Sequence, residues 1–330
     1  MGPPEKQVPA VERQVRRDAV DGLVIIDKPA GLTSHDVVAR CRRIFSQHRA
    51  GHAGTLDPDA TGVLLVGLGR ATRLMRFLSG LPKRYTAEVV LGAATSTLDS
   101  GGELTGTWDM RGVTISEARA AAAGLTGDVW QLPPMVSALK VGGSRLHQLA
   151  RAGIEVRRAP RQIQVTRFEL TLAPDQDAGF AGAGPVLAVD VECSSGTYVR
   201  ALAADLGAAL GGGACLRRLR RHEVGSFSAD EAVELEFLSD PSTWQSAVLS
   251  LAEALRGMQR VVLGAVSAAG VGHGKILPLE ELRAAGAAGT GPWAVVGEDG
   301  GLLAVYEVYG PEQAKPSVVV AGAGLAGAEG

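Results

Sequence analysis

Short apolar runs broken by glycine and proline dominate the chain, with few long amphipathic stretches. "GLVIID" (22–27) reads as a buried strand closed by the Lys28-Pro29 turn. "TSHDVVARCRRIF" begins with a hydroxyl cap and places Val37, Val38, Cys41 and Ile44 on one helical face. A strand at "VLLVG" (63–67), a helix at "ATRLMRFLSG" (71–80) and a strand at "KRYTAEVVLG" (83–92) follow. "TISEARAAAAGL" predicts a helix with a capping box between Thr114 and Glu117. "PPMVSALKVGG" is extended, and "RLHQLARAG" is a short helix ended by Gly153. "RQIQVTRFELTL" and "PVLAVDVECSS" read as strands, and "TYVRALAADLGAAL" as a helix capped by Thr197.

A further helix is predicted over "STWQSAVLSLAEALRGM", and beyond it the texture changes to short strands, with a hairpin across "GEDGG". Strands and helices alternate irregularly, so the fold class is α+β around a central mixed or antiparallel sheet, with a small β-rich C-terminal domain. The expected divisions are a flexible tail over 1–20, a main domain over 21–240 with a basic insertion at about 135–165, the β-rich domain over 258–325, and a disordered tail over 326–330.

Composition adds limits. With 46% hydrophobic and 21% charged residues the chain is an ordinary globular protein, and at 4% aromatics its core must be filled by Ala, Val and Leu. Cys41, Cys193 and Cys215 are far apart with no CxxC spacing, which argues against a zinc site or disulfide scaffold and fits a reducing cytoplasm. The start of the chain has no apolar core of a signal peptide, and the longest apolar run is too short and glycine-rich to span a bilayer.

A net charge of −2 argues against a nucleic-acid partner, but its distribution argues for one. Arg40, Arg42, Arg43 and Arg49 cluster without an acid. Residues 140–167 hold seven basic side chains against Glu155 alone, and 217–221 read "RRLRR". These are local basic patches of the kind that follow a phosphate backbone. Solvated faces balanced by acids across the fold are the plainer explanation.

Candidate chemistry gathers in "GHAGTLDPDATG" (51–62), a shaped loop in which glycine supplies positive φ and Asp-Pro stiffens a turn. His52 and Asp57 lack the further partners that a metal site needs. Asp57 and Asp59, two residues apart with a proline between, diverge more readily than they pair. "GLGRATR" lacks the third glycine of a dinucleotide fingerprint and reads as a helix entry. In "SSGTYVRALAADLG" (194–207), Tyr198 and Arg200 lie in the first helical turn, where Arg200 can keep a loop carboxylate ionised.

Taken together and in order, "GHAGTLDPDATG", "KRYTAEVVLG", "PPMVSALK", "GTYVR" and "CLRRLRR" resemble the bacterial TruB-type tRNA pseudouridine synthases, as does the opening "GLVIIDKPAGLTSHDVV". The resemblance covers about two-thirds of the chain, and the C-terminal part is similar, more loosely, to PUA-type RNA-binding modules. It implies isomerisation of the T-loop uridine at tRNA position 55, with no cofactor and no metal. It makes Asp57 the catalytic residue, paired with Arg200, with Tyr85 stacking on the uracil. Leu219 covers the base, and Tyr198 and Lys28 stand in the pocket wall.

On the same resemblance His52 presses into the RNA loop as the uridine flips out. The basic insertion closes over the T-arm stem-loop, so Arg145, Arg151, Arg157, Arg158 and Arg161, with Arg220 and Arg221, are expected on RNA. Departures from the pattern are Ala53, Ser96, Val136 and His147, none a group the reaction needs. The expected partner is tRNA, with neither a guide RNA nor an obligatory protein partner, in the cytoplasm. The alternatives are a catalytically silent RNA-binding or tRNA-folding protein of the same fold, and an N-ribosyl hydrolase, which needs an activated water.

Overall fold

The computed structural model describes residues 20–320 except 138, 142, 178, 180–183 and 241–242; the side chains of 140, 141, 144, 145, 147 and 151 also lie outside the description. Both expected tails therefore fall essentially outside the described residues.

A ten-stranded mixed sheet forms the main body. Its strands are β1 (Gly22–Lys28), β2 (Ala50–Ala53), β3 (Thr61–Leu68), β4 (Lys83–Leu91), β7 (Gly127–Gln131), β10 (Arg161–Leu172), β11 (Val186–Cys193), β12 (Ala214–Val224), β13 (Phe227–Ser228) and β14 (Val248–Leu249). They run in the order β14-β1-β3-β12-β4-β11-β10-β7, with β2 on β3 and β13 on β12. Every pairing is antiparallel except β3 with β12, which meet in parallel at Thr61 and Arg220. Two small hairpins, β5 (Ala93–Thr95) with β6 (Leu104–Thr107) and β8 (Lys140–Val141) with β9 (Ser144–Arg145), stand off the sheet.

The apolar pattern accounts for the layers. In β1, Leu23 and Ile25 face one cluster and Val24 and Ile26 another, so the strand is buried on both faces and reads as an unbroken apolar run. Helix α1 (Ser34–Ile44) covers the second face with Val37, Val38 and Cys41. In β4 the pattern alternates: Tyr85, Ala87, Val89 and Leu91 pack under α3 (Ile115–Ala123) and α5 (Val199–Ala209), while Arg84, Thr86 and Glu88 lie on the other face. The Thr114–Glu117 capping box forms.

The C-terminal residues build a five-stranded sheet from β15 (Arg260–Leu263), β16 (Leu277–Pro278), β17 (Trp293–Gly297), β18 (Leu302–Val308) and β19 (Gln313–Val319), with the short helices α6 (Ala265–Val271) and α7 (Leu279–Ala284). β17 and β18 are the hairpin expected across "GEDGG". Ala294, Val296 and Leu302 of this sheet share a core with Leu78 and Phe227 of the main body. The α+β class with a β-rich C-terminal sheet is thus what the sequence predicts. No described helix is long and apolar enough to cross a membrane.

Three local expectations are corrected. The helix predicted over 242–258 is absent from the described part: Trp244–Ala247 and Glu253–Leu255 are 3-10 turns, and between them β14 pairs with β1 at Val24–Val248 and Leu23–Leu249. The open edge of β1 takes Val248 and Leu249 as a strand, and Ala254 and Leu255 are buried from a 3-10 turn instead of a helix. Residues 71–80 divide into a 3-10 turn (Gly69–Arg73) and a short helix, α2 (Met75–Ser79). Helix α5 begins after Tyr198, and Thr197 does not cap it. Gln131 of β7 bonds the Tyr198 backbone instead, accepting from its N–H at 2.8 Å and donating to its carbonyl at 3.1 Å. The remaining short helix is α4 (Leu146–Arg151).

Candidate active site

The loop 54–60 between β2 and β3 is held from behind by polar side chains. Ser34 accepts from the Leu56 N–H at 2.9 Å and donates to its carbonyl at 3.2 Å. Lys28, fully buried, donates its three ammonium hydrogens to the carbonyls of Pro29, Leu32 and Pro58, at 2.8, 2.7 and 2.8 Å. Burial lowers its pKa to about 8, against the opposing pull of Asp59 and Asp57. Arg221, 1% exposed, donates to the carbonyls of Val63 at 2.7 Å and Gly54 at 2.9 Å. At Gly62, φ is +101° and a Cβ would stand 2.1 Å from the Arg221 carbonyl, so only glycine lets β3 approach β12 there.

Against this rigid backing Asp57 meets Arg200 in a two-point contact, Nε to Oδ2 at 2.8 Å and Nη2 to Oδ1 at 3.1 Å. The Arg200 side chain is only 4% exposed and also donates to the carbonyls of Thr97 at 2.7 Å and Val136 at 2.9 Å. Asp99 lies 3.6 Å from its Nε. The carboxylate is 42% exposed, so the arginine is interior and the acid opens to solvent.

That opening is a cavity of about 240 Å³ lined by Asp57, Lys83, Tyr85, Tyr198, Arg200 and Leu219, among others. Its volume is that of roughly eight waters at about 30 Å³ each, room for a nucleobase. Tyr85 is nearly buried, and burial raises its pKa while the nearby Arg221 opposes the shift. Asp59 does not line this cavity, but shares a smaller adjoining one of about 60 Å³ with Asp57 and Asp99.

Two expected roles need correction. Lys28 is behind the loop, not in the pocket wall, and none of its hydrogens is free for a substrate. Arg221, expected on RNA, is an interior brace; its neighbour Arg220 is bound at 3.0 and 2.7 Å to Asp27. A string of arginines cannot reveal which faces inward on an alternating strand.

His52 is half-buried, its ring edge-on to His35 at 5.3 Å. Burial, with His35 and Arg221 adding to it, lowers its pKa to about 4, so the ring is neutral near pH 7. In the basic insertion Arg157 and Arg161 are exposed, whereas Arg158 turns in to the Pro133 carbonyl at 2.9 Å. The side chains of Arg145 and Arg151 are outside the described residues. Lys83, Asp99, Gln131 and the carbonyls of Thr97 and Val136 were not anticipated; the place of Lys83 two residues before Tyr85 in "KRY" offered a signal.

A carboxylate presented by a buried arginine beside a tyrosine-lined, base-sized pocket, on a mixed sheet with a β-rich appendage, defines the pseudouridylate synthase class. Residues 42–199 match the TruB family pseudouridylate synthase N-terminal domain, and 200–263 the tRNA pseudouridylate synthase B C-terminal domain. The chain belongs to the TruB family of pseudouridylate synthases. It is 45% identical to a tRNA pseudouridine synthase B of Mycobacterium sp. (strain KMS) over 91% of this chain and 96% of the relative. It is 46% identical to one from Mycobacteroides abscessus, over 86% and 91%. Among solved structures, a Cbf5-Nop10-Gar1 complex contains a chain of similar fold, with a TM-score of 0.69 at 24% identity over 92% of this chain and 85% of that one. The boundary between the matched domains falls inside α5, so Asp57 and its partner Arg200 lie in different ones.

Proposed function

We infer that this protein is a tRNA pseudouridine synthase acting on the T-loop uridine at position 55, with Asp57 as the catalytic carboxylate. The observation that carries the reading is the Asp57–Arg200 contact at the mouth of the Tyr85 pocket. Isomerisation breaks the N1–C1′ bond, turns the uracil and joins C5 to C1′. It needs an ionised carboxylate beside the sugar and walls that keep the detached base. Arg200 aims Asp57, Tyr85 and Leu219 enclose the base, and Tyr198 closes the side of the cavity. His52 is the neutral ring that enters the RNA loop, as a charged one would seek phosphate instead.

Arg157 and Arg161 support docking of the T-arm by the basic insertion without a guide RNA or protein partner. The β-rich sheet is proposed as a PUA-like module with the smaller electrostatic share, because residues 260–320 carry four basic against six acidic side chains. Three free, buried thiols favour a reducing cytoplasm.

Incubating an unmodified tRNA transcript with purified protein and a chelator should yield pseudouridine at position 55 with nucleotide mass unchanged. An abasic site with free uracil would indicate a hydrolase, and unaltered RNA that is bound or refolded would indicate a silent binder. Replacing Arg157 and Arg161 with alanine should flatten the slope of log affinity against log salt by about 1.4 to 1.8, at roughly 0.7–0.9 per phosphate. Turnover at saturating tRNA should change less than about twofold. A slope equal to wild type would place both arginines off the RNA.

A further inference from the structure

Two lysines are buried near the catalytic loop, and their surroundings differ. Lys28 has three carbonyl acceptors for three hydrogens and lies outside the cavity. Lys83, the first residue of β4 and 7% exposed, lines the cavity with Asp57 and Tyr85. Its Nζ donates to only two carbonyls, those of Ser79 at 2.8 Å and Leu81. Among the described residues that leaves one ammonium hydrogen for the cavity. Arg221 adds a second buried cation: its Nη1 and the Lys83 Cε approach the same point beside Gly54, to 3.4 and 3.6 Å from where a Cβ would stand. Asp57 does not offset these cations, because Arg200 already neutralises it. The pocket is therefore positive in excess, while the uracil ring that enters it is neutral.

Resting on the synthase reading, we propose that Lys83 is a further catalytic residue, whose ammonium group stabilises the uracil anion formed when the glycosidic bond breaks. As N1–C1′ breaks, the bonding pair stays on the base, spread over N1, O2 and O4. Asp57 meets the deficit at the sugar, by bonding to C1′ or by taking the C2′ proton, and later reverses that step. After the base turns, the pair forms the C5–C1′ bond; C5 loses its proton and N1 gains one, so the product is an isomer. A cation that meets charge only after cleavage acts on the transition state more than on the bound substrate, which raises rate without tightening binding. Burial, aided by Arg221, lowers the Lys83 pKa to about 8, so an anion arriving beside it recovers a cost already met in folding.

The plainer role for Lys83 is to cap the carbonyls at the end of α2, and the test separates the two. Wild type, Lys83→Met and Lys83→Arg are compared by kcat/KM for pseudouridine formation between pH 6.5 and 9.5, with circular dichroism as the check on folding. Of the groups facing Lys83, the guanidinium groups of Arg221 and Arg200 keep their charge. Tyr85, raised by burial, and the Cys193 thiol, pushed up to about 11, stay neutral. Asp57 and the Lys28 titration at about 8 are common to all three proteins and cancel in a ratio.

The expected defect of Lys83→Met is about 100-fold at pH 7, the scale of losing one oxyanion-type donor. It should shrink to under about fivefold at pH 9.5, as wild type loses the same proton through about pH 8. Lys83→Arg should keep part of the activity and lack that alkaline fall. A defect constant with pH, or one under about threefold at pH 7, overturns the proposal in favour of the cap. Should Lys83→Met fail to fold, Lys83→Arg decides, and a profile parallel to wild type overturns the proposal. Absence of pseudouridine with wild type would instead overturn the synthase reading beneath it.

Discussion

Asp57→Asn should leave less than about 1% of wild-type isomerisation in a single-turnover assay while tRNA affinity stays within about threefold. Amide and carboxylate have the same shape, so the loop and cavity keep their form, but the amide supplies neither the nucleophile nor the base that the sugar needs. The structure sharpens this, because Arg200 keeps its carbonyl partners at Thr97 and Val136 and Asp99 at 3.6 Å, so the guanidinium is not left bare. Asp59→Asn, two residues on and outside the cavity, should stay within about twofold of wild type. Equal losses in the two variants would show that the loop works as a carboxylate pair. Residual turnover well above 1% in Asp57→Asn would move the chemistry to another residue.

Arg200→Lys is expected to slow the chemical step about 100-fold, although charge is conserved. Arg200 makes four hydrogen bonds from one planar group, two to Asp57 and one each to the carbonyls of Thr97 and Val136. A lysine has three hydrogens for these four acceptors and no planar fork, so the two-point contact with Asp57 is lost. The carboxylate also loses its fixed direction, and misplacement by about 1 Å costs on the order of 100-fold in rate. tRNA binding should fall by less than about fivefold, since Arg200 is interior and meets no phosphate. A single-turnover rate equal to wild type would dissociate Arg200 from the aim of Asp57.

What could be read in advance follows from which features act locally. The segment "KRYTAEVVLG" revealed the strand β4, and the turn chemistry of 51–62 revealed a shaped loop. That Arg200 can hold a loop carboxylate was legible from its place in a first helical turn, whereas its pairing with Asp57 came from the family resemblance. Burial of cations was not legible. Lys28, Lys83 and Arg221 look in sequence like any surface lysine or arginine; Lys83 turns to carbonyls of the adjoining turn, while Lys28 and Arg221 also reach Pro58 and Gly54, 30 and 167 residues away. The helix predicted over 242–258 failed for a related reason, as Val248 and Leu249 answer an edge of β1 more than two hundred residues upstream. The Thr197 cap misplaced a boundary by one residue, which Gln131 decided from another strand.

The cross-chain ties of the loop also set a timetable for the newborn protein. Asp57 reaches its arginine across 143 residues and Gly54 reaches Arg221 across 167, so no early segment can assemble the site. At about 5–20 residues per second, a ribosome that has made Asp57 needs roughly 7 to 30 s more before Arg200 exists. For that interval the loop has Ser34 and Lys28 behind it but neither Arg221 nor Arg200, and β3 lacks its parallel neighbour β12. Nascent chains halted before residue 200 should therefore be devoid of catalysis however well their first strands fold, and activity should appear late, after the ten-stranded sheet closes around its own beginning.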